Sequence, residues 1–456
     1  MPQAAANPSG SSPAADSPLR SRRLRRIIVA YTVNRLGSWM GLVALSLAVF
    51  DHTHDALAVA ALLLAWQALP ALLVPPLVAR VEASSRRSEL SRLYLFEALV
   101  TAALAILLSR FWLPAVLLLA LLDGTAALAA NSLLRAELAR TARRHATERS
   151  AGARSSEEVE GEAHEAERRA NATLNVAFSI SFVGGPVLGG LVVAAAGAPA
   201  TLYIDVATFV LCGAALIDMH PHVEAAGEHS VRARLRAAWS HINEAPLLRP
   251  LLLAELVALL FIQAAAPIEV AYAKDTLHAG DRGYGLLVTA WGAGAVLASV
   301  IFARSVRRSL AVLLTLGIFS LGAGFVGMAL APTLALGCIG SFLGGLGNGL
   351  EWPSIISLVQ RMTPQPLHGR LMGAVESLAA LCLAVGLPLG GALVGITSTR
   401  TAFAVAGAGT LATTIAFARL TRLGLGRQAA GAPATPEAQL SRARPEALVP
   451  GHPAPE

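Results

Sequence analysis

The sequence predicts an all-α polytopic membrane protein, on the basis of its composition and of the length of its apolar runs. Strongly apolar residues form 55% of the 456 residues and charged residues only 14%, whereas a soluble globular protein has roughly 25% charged residues. A compact soluble domain of this composition would lack the polar surface to cover its core. The apolar residues come in runs of about 20, the length at which a helix crosses the roughly 30 Å hydrocarbon layer of a bilayer.

Twelve such runs occur in two sets of six. The first set fills residues 27–219 and contains a highly charged loop insert at 139–170, and the second set fills 250–420. A cytoplasmic linker at 220–249 joins the two sets and contains a stretch, 229–244, that is typical of a short amphipathic helix on the inner membrane surface. The predicted spans are 27–50, 56–79, 91–109, 112–134, 171–194, 199–219, 250–272, 284–304, 309–330, 333–359, 371–395 and 401–420.

The positions of the basic residues predict the orientation. Residues 1–26 and 421–456 are rich in Ala and Pro and are predicted to be disordered cytoplasmic tails. With both tails inside, 31 of the 36 Lys and Arg residues fall in cytoplasmic segments and four in outside connections, as the positive-inside rule requires. The net charge of +7 therefore reflects the orientation of the chain in the membrane, and no nucleic-acid partner is expected. The predicted location is the bacterial cytoplasmic (inner) membrane.

No metal, cofactor or enzymatic site is predicted. Cys212, Cys338 and Cys382 lie singly inside apolar runs, without a Cys-x-x-Cys pair. The short outside stretch 51–55, DHTHD, has two histidines but no second ligand cluster to complete a metal site. The chain also lacks a His-Glu-x-x-His motif and a phosphate-binding Gly-Lys-Ser/Thr run. These absences disfavour a membrane-embedded enzyme.

An internal repeat relates the two sets of spans. The fifth span contains GPVLGG at 185–190 and the eleventh contains GLPLGG at 386–391, while Gly124 of the fourth span matches Gly349 of the tenth. Two parallel repeats of six helices are a transporter architecture in which the substrate site lies near the bilayer midplane, between the halves. The repeat therefore predicts two six-helix halves with a site between them.

At these residues the sequence resembles the major facilitator superfamily, and within it the proton-antiporter type of exporters for enterobactin, macrolides and multiple drugs. The resemblance covers roughly 27–420 and is most specific at ANATLNVAFSISFVGGPVLGGLV (170–192) and LYIDVATFVL (202–211). It implies the major facilitator fold, with 12 transmembrane helices in two halves. The residues that match the antiporter motif of these exporters are Ala172, Ser181, Gly185, Pro186, Gly189 and Gly190.

One motif of the family is altered in this chain. The loop between the second and third spans usually carries an Asp followed by basic residues, as part of a cytoplasmic charge latch, but here the Asp is replaced by Ala79. The remaining basic residues are candidates for a cytoplasmic gate: Arg80, Arg86, Arg87 and, in the equivalent loop of the second half, Arg370. The missing Asp leaves open a differently coupled or transport-deficient relative.

Polar residues inside the spans are the candidates for substrate binding and proton coupling. A charge in the bilayer centre costs roughly 2.5–3.5 kcal/mol on insertion scales, so each one requires a partner or a role. By the resemblance, the first, fourth, seventh and tenth helices line the cavity. The candidates on these helices are Arg35, Asp123, Glu255, Gln263, Glu269, Asn348 and Glu351.

Helix geometry supports part of this choice, and the ranking of the carboxylates that follows is a hypothesis. At about 100° per residue, Glu255, Gln263 and Glu269 can face one cavity, and Asn348 lies one turn before Glu351. Asp123 and Glu351 are the leading coupling carboxylates, followed by Glu255 and Glu269. Arg35 is expected to form an ion pair with Asp123 or to contact an anion.

The sequence thus predicts a secondary active transporter, a proton-coupled exporter of small amphipathic molecules of the drug, siderophore or natural-product class that works by alternating access. Its expected partners are a small-molecule substrate, protons and the lipid bilayer, and it is expected to be a monomer. Two alternatives stay open at this stage. The first is a non-transporting membrane receptor or scaffold with a transporter fold, and the second is an importer of the same superfamily.

Overall fold

In the computed structural model, the described residues are 21–70, 89–150, 156–219, 248–305, 308–363 and 368–430, and within these ranges the chain is helical and contains no strand. Outside the described residues lie Arg80, Arg86, Arg87 and the predicted amphipathic helix at 229–244, as does the side chain of Arg370.

The helices are α1 (Arg22–Thr53), α2 (Ala56–Leu63), α3 (Glu89–Leu107), α4 (Leu113–Ser150), α5 and α6 (together Ser156–Ala215), α7 (Leu248–Ala271), α8 (Gly280–Arg304), α9 (Leu310–Leu330), α10 (Leu334–Arg361), α11 (His368–Ile396) and α12 (Thr399–Ala430).

The stretch Ser156–Ala215 is two helices and not one. Gly197 has φ 85° and ψ 167°, a conformation that glycine adopts without the steric cost of a side chain. Pro199 follows, and proline is favoured in the first turn of a helix. An unbroken helix of 60 residues would be about 90 Å long, three times the hydrocarbon thickness. The break therefore separates α5 (156–196) from α6 (198–215).

The helices of the described residues follow the predicted spans, the second of which is described only as far as residue 70, and the protein is a multi-pass membrane protein. Nine helical segments of the described residues are long and apolar enough to cross a bilayer, and one of these contains both α5 and α6. The remaining two of the twelve are α2, which continues as a short π-helical turn at Leu64–Ala68, and the glycine-rich α10. Large apolar side chains such as Leu99, Ile106 and Leu211 lie on the bundle surface, each more than 60% exposed, as expected of a surface that faces lipid.

The charged insert at 139–170 is helical in its described part, and its prediction as a loop was wrong. α4 continues to Ser150 and α5 begins at Ser156. Acidic and basic side chains recur at the helical spacing, as in the ion pair of Glu165 with Arg169 at 3.1 Å, and such pairs favour a helix. Arg143 of α4 also pairs with Glu167 of α5 at 3.5 Å. The insert is therefore a helical hairpin, and its charged residues favour water beyond the membrane.

The repeat in the sequence is also a repeat in space. Gly185 and Gly189 bring α5 close to α1, and the equivalent Gly386 and Gly390 bring α11 close to α7. A side chain at Gly189 would lie 2.9 Å from the Cα atom of Met40, and one at Gly386 would lie 2.8 Å from the carbonyl oxygen of Leu260. Small residues permit such close approach of helix backbones in a membrane. Each half thus contains the same helix pair, built on the same glycines.

The last glycine of each motif joins the two halves. Gly190 of α5 packs against Gly285 of α8, so that a side chain at Gly190 would lie 2.6 Å from the Cα atom of Gly285. The equivalent Gly391 of α11 packs against Leu57 of α2, with 2.8 Å between the corresponding atoms. We call these two contacts the glycine crossings. They are related by the internal repeat and connect each half to the other.

The apolar core shows that the halves meet at one end of the bundle. One cluster combines the end of α1, including Phe50, with Tyr272, which follows α7. Towards the other end each half has a core of its own, around Leu24 in the first half and Leu248 in the second. We call the first end the Lys274 end and the second the Arg26 end, after the residues found there.

The close contact at Gly390 should make that position intolerant of a side chain. We expect Gly390→Ala to lower the melting temperature of the purified protein in detergent, because the added methyl group collides with the carbonyl oxygen of Ala264 and overpacking costs about 1–3 kcal/mol. Gly395→Ala is the matched control on the same helix, since nothing lies within 4 Å of its added methyl group. Equal melting temperatures for the two variants would contradict the packing described.

Candidate functional site

A cluster of four aromatic rings, two of which lie beside a guanidinium, is found in the first half. Trp39 of α1 stands edge-on to Trp66, with ring centres 6.3 Å apart, and to Phe182 of α5, at 4.9 Å. Phe178 stacks on Phe182 at 5.9 Å. Arg35 lies over the rings of Trp39 and Phe178, with its Cζ atom 6.0 Å and 5.7 Å from their centres. We call these five residues the aromatic box.

The position of the aromatic box follows from its helices. Its side chains come from α1, from the π-helical turn after α2 and from α5, and both α2 and α5 make a glycine crossing to the second half. All five residues are half-buried, between the fully buried core and the lipid-facing surface. Sequence reasoning selected Arg35 but missed the rings, although tryptophan is scarce in the chain, with six in 456 residues.

The predicted ion pair of Arg35 with Asp123 does not form among the described residues. Asp123, on α4, instead accepts hydrogen bonds from Trp66 Nε1 at 2.9 Å and from the Thr101 hydroxyl at 3.2 Å. Gly124 allows this, because its lack of a side chain lets the backbone of Trp66 approach α4 closely. The indole and the hydroxyl supply neutral donors that satisfy the carboxylate, so it needs no cation.

Two further acids lie in the first half, behind the aromatic box. Glu97 of α3 and Asp205 of α6 are 1% and 4% exposed, and Glu97 is within electrostatic range of Asp205, Asp123 and Arg35. Asp205 occupies the space left by Gly37 and Gly41 of α1. Since Gly37 is about 200° around the helix from Arg35, Asp205 contacts the opposite face of α1.

The second half contains a buried pair of carboxyl groups. Glu255 of α7 and Glu351 of α10 are 3% and 0% exposed and lie next to each other. None of their four carboxyl oxygens has a hydrogen-bond partner in the described part of the chain. Two ionised carboxylates repel at this distance, whereas a hydrogen bond between them requires a proton on one. We call Glu255 and Glu351 the carboxyl pair.

The other candidates of the second half do not join the carboxyl pair. Gln263 packs with its Cβ atom against Gly386 of α11, and Glu269 is within electrostatic range of Tyr284 of α8. Asn348 is half-buried, one turn before Glu351. Glu255 and Glu269 are separated by about 21 Å of helix, so residues that share a face on a helical wheel lie at different depths of the bundle.

The antiporter motif lies along α5, mostly in contact with α1. Ser181 is fully buried and donates to the carbonyl oxygens of Thr32 at 3.1 Å and Ala177 at 2.9 Å. Gly185, Pro186, Gly189 and Gly190 are all buried at or near the glycine contacts described above. Ala172 is exposed, near the Arg26 end of α5, and takes no part in these contacts.

An ion pair connects the halves at the Lys274 end. Lys274, the only lysine in the sequence, pairs with Asp51 at the end of α1 and, at 2.6 Å, with Asp281 at the start of α8. The Lys274 side chain is 13% exposed and that of Asp51 is 48% exposed, so the ion pair is partly open to solvent. The DHTHD stretch thus supplies an ion-pair partner, and His52 stacks on Phe111 with ring centres 4.3 Å apart. Sequence reasoning did not foresee this connection, although the single lysine marks it.

The sequence matches known membrane transporters over part of its length. The family model of the Major Facilitator Superfamily matches residues 251–450. The multidrug efflux pump Tap of Mycolicibacterium fortuitum is 28% identical over 234 residues, which are 49% of this chain and 56% of that protein. The chain thus spans about half the length of this curated relative. An uncharacterized MFS-type transporter of Bacillus subtilis, YfiS, is 25% identical over 400 residues, covering 84% of this chain and 89% of that protein.

The fold also matches solved transporter structures. The nucleoside transporter NupG superposes with a TM-score of 0.65 over 88% of this chain and 99% of that chain, at 14% sequence identity. An identity this low is informative about the fold alone. The superposition agrees with the arrangement of twelve helices in two halves.

The ion pair at the Lys274 end should hold the halves together there. We expect Asp51→Asn to increase the population of molecules whose Lys274 ends are separated, because the variant loses the charge that attracts Lys274 across the halves. Spin labels at Trp112→Cys and Ile396→Cys, which are 63% and 80% exposed, would report this distance by double electron–electron resonance in a cysteine-free background.

Asp275→Asn is the matched control for this measurement. Asp275 is exposed and adjacent to Lys274 in sequence, and no ion pair is recorded for it within the described ranges. An Asp51→Asn distance distribution identical to that of Asp275→Asn would contradict a role of the ion pair in closing this end.

Proposed function

We propose that this multi-pass membrane protein is a secondary active transporter of the major facilitator type, which exports small amphipathic molecules in exchange for protons by alternating access. The observation that carries the proposal is the geometry between the halves. They share one core at the Lys274 end, have separate cores towards the Arg26 end and place polar groups between these regions. The similarity to an efflux pump, Tap, supports export.

Alternating access follows from the way the halves are joined. Each glycine crossing has a glycine on at least one side, so few side chains interlock there and the halves can rock about them with little repacking. The excess of basic residues on the tail side assigns the Arg26 end to the cytoplasm. The structure is then inward-facing, with the Lys274–Asp51 ion pair closing the outer side. In this orientation the protein functions in the bacterial cytoplasmic membrane, as a monomer with both termini inside.

The carboxyl pair is the proposed site of proton coupling. In a buried pair, the proton held between two carboxyl groups is the only compensation for their mutual repulsion, so a change in helix separation alters proton binding strongly. α7 and α10 belong to the same half, and α7 also contacts α2 of the other half. When the halves rock, movement of α7 changes the separation of the two carboxyl groups. The relative position of the halves is thereby linked to proton binding by the carboxyl pair.

Asp123 is the weaker of the two leading coupling candidates. Its two oxygens already accept hydrogen bonds from Trp66 and Thr101, and an amide at this position keeps one acceptor for them. Neither carboxyl oxygen of Glu351 has a hydrogen-bond partner within the described residues, and Glu255 lies beside it. The geometry thus favours the carboxyl pair as the proton site and gives Asp123 the task of holding Trp66 in place.

Proton flux in proteoliposomes tests this function. Purified protein is reconstituted with the pH dye pyranine inside, and a panel of cationic, neutral and anionic aromatic compounds is added under a substrate gradient. We expect at least one compound to drive a proton flux opposite to its own movement. Movement of proton and compound in the same direction would identify an importer, and the absence of any flux over the whole panel would favour a non-transporting receptor.

Substitution of the carboxyl pair should separate the candidates. We expect Glu351→Gln and Glu255→Gln each to abolish substrate-driven proton flux, because an amide cannot release the shared proton. Asp123→Asn should retain the flux, since its hydrogen-bond partners are neutral donors. Exposed Asp275 provides the control variant Asp275→Asn. Flux lost in Asp123→Asn but kept in Glu351→Gln would reverse this assignment.

A further inference from the structure

We propose that the aromatic box is the substrate site and that its ligand is a planar aromatic molecule that carries an anionic group. The inference rests on the proposed transport function and names the substrate class. The side chains concerned belong to the first half, which faces the space between the halves. Three observations support it: the ring geometry, two unpaired donors and the contrast with the second half.

The rings form apolar walls on more than one side. Trp39 stands nearly perpendicular to Phe182, at 85°, and at 67° to Trp66, so the faces of the rings point in different directions. All are half-buried, which leaves part of each ring uncovered. Flat aromatic molecules pack on such faces by offset or edge-to-face contact with ring centres 4.5–7 Å apart. The walls thus favour a planar, aromatic ligand.

The donors of the box lack an acceptor. The Nε atom of Arg35 and the Nε1 atom of Trp39 are buried and have no hydrogen-bond partner among the described residues. Buried donors are nearly always paired in proteins, and a guanidinium binds a carboxylate or another planar anion through two parallel hydrogen bonds. An anionic group beside the aromatic plane of a ligand would satisfy both side chains at once.

The neighbouring acids do not occupy this role. Asp123 is held by Trp66 and Thr101, and Asp205 contacts the opposite face of α1. Glu97 is 1% exposed on α3 and acts on Arg35 through space, without an ion pair between them in the described ranges. These acids stabilise a cation inside the membrane and leave its hydrogen-bonding edge free for a ligand.

The second half lacks an equivalent box. At the positions that the repeat equates with Trp39, Arg35 and Phe178, it has Gln263, Leu259 and Ala379. The side chains of the box are therefore not required by the helix packing that the two halves have in common. Their presence on one side only is expected of a ligand site.

Three naphthalene derivatives of different charge test the site. Binding of 2-naphthoate, 2-naphthalenemethanol and 2-naphthylmethylammonium to the full chain in nanodiscs is measured by calorimetry, with empty nanodiscs as the baseline. We expect the anion to bind about tenfold more tightly than the alcohol, because a charge-assisted hydrogen bond to a guanidinium is stronger than a neutral one, and the cation to bind most weakly. Tightest binding of the cation would overturn the proposal.

Variants separate the charge from the rings. Arg35→Gln should weaken 2-naphthoate about tenfold and leave the alcohol within about twofold, which also shows that the variant is folded. Arg35→Lys should recover part of the loss, and Trp39→Leu should weaken all three compounds. Arg282→Gln, at an exposed arginine, is the control and should bind as the wild type does. An unchanged order of affinities in Arg35→Gln would contradict the proposal.

This binding experiment is independent of the transport function. It requires no gradient and no proton movement. Arg35-dependent binding of 2-naphthoate without proton flux would support the site and reject proton coupling. Proton flux driven by other compounds, without binding of 2-naphthoate, would support transport and reject the aromatic-anion site.

Discussion

The cost of placing charged groups in hydrocarbon is the constraint on which the arrangement of this bundle depends. Each such group costs roughly 2.5–3.5 kcal/mol at the bilayer centre, and the chain compensates each one differently. Asp123 receives two neutral donors, Asp205 accepts a hydrogen bond from Thr208, and Glu255 and Glu351 lie next to each other without a donor among the described residues. Arg35 receives aromatic rings and no acceptor. Glu97, Arg35 and the carboxyl pair are the least completely compensated, and we assign function to Arg35 and the carboxyl pair.

The two halves share a scaffold but not their polar groups. The glycines of GPVLGG and GLPLGG make equivalent contacts in both halves, so the rocking geometry is symmetric. The aromatic box lies in the first half and the carboxyl pair in the second. A ligand and a proton would therefore bind in different halves, and their coupling would pass through the relative position of the halves. The ligand and the proton therefore need not compete for the same side chain.

The sequence predicted the features that repeat along the chain better than those that depend on a single partner. Runs of about 20 apolar residues are sufficient to locate twelve spans, and the glycine motifs identify the halves. The insert at 139–170 was interpreted as a loop because of its charge, although its Glu and Arg residues recur at helical spacing. The prediction that Arg35 pairs with Asp123 was wrong, because Trp66, which is distant in sequence, donates a hydrogen bond to Asp123 instead. Glu255 and Glu351 were each selected, but a helical wheel gives direction and not depth, so their pairing became visible only in the structure.

Separation of ligand binding from proton release is the central claim, and one variant tests it most directly. Glu351→Gln is compared with the wild type for affinity to 2-naphthoate in nanodiscs and for 2-naphthoate-driven proton flux in proteoliposomes. The account predicts that the variant binds within about twofold of the wild type, because Glu351 lies in the other half from the aromatic box, and that it produces no flux. The central claim would be contradicted if Glu351→Gln lost the flux and also bound 2-naphthoate as weakly as is expected of Arg35→Gln.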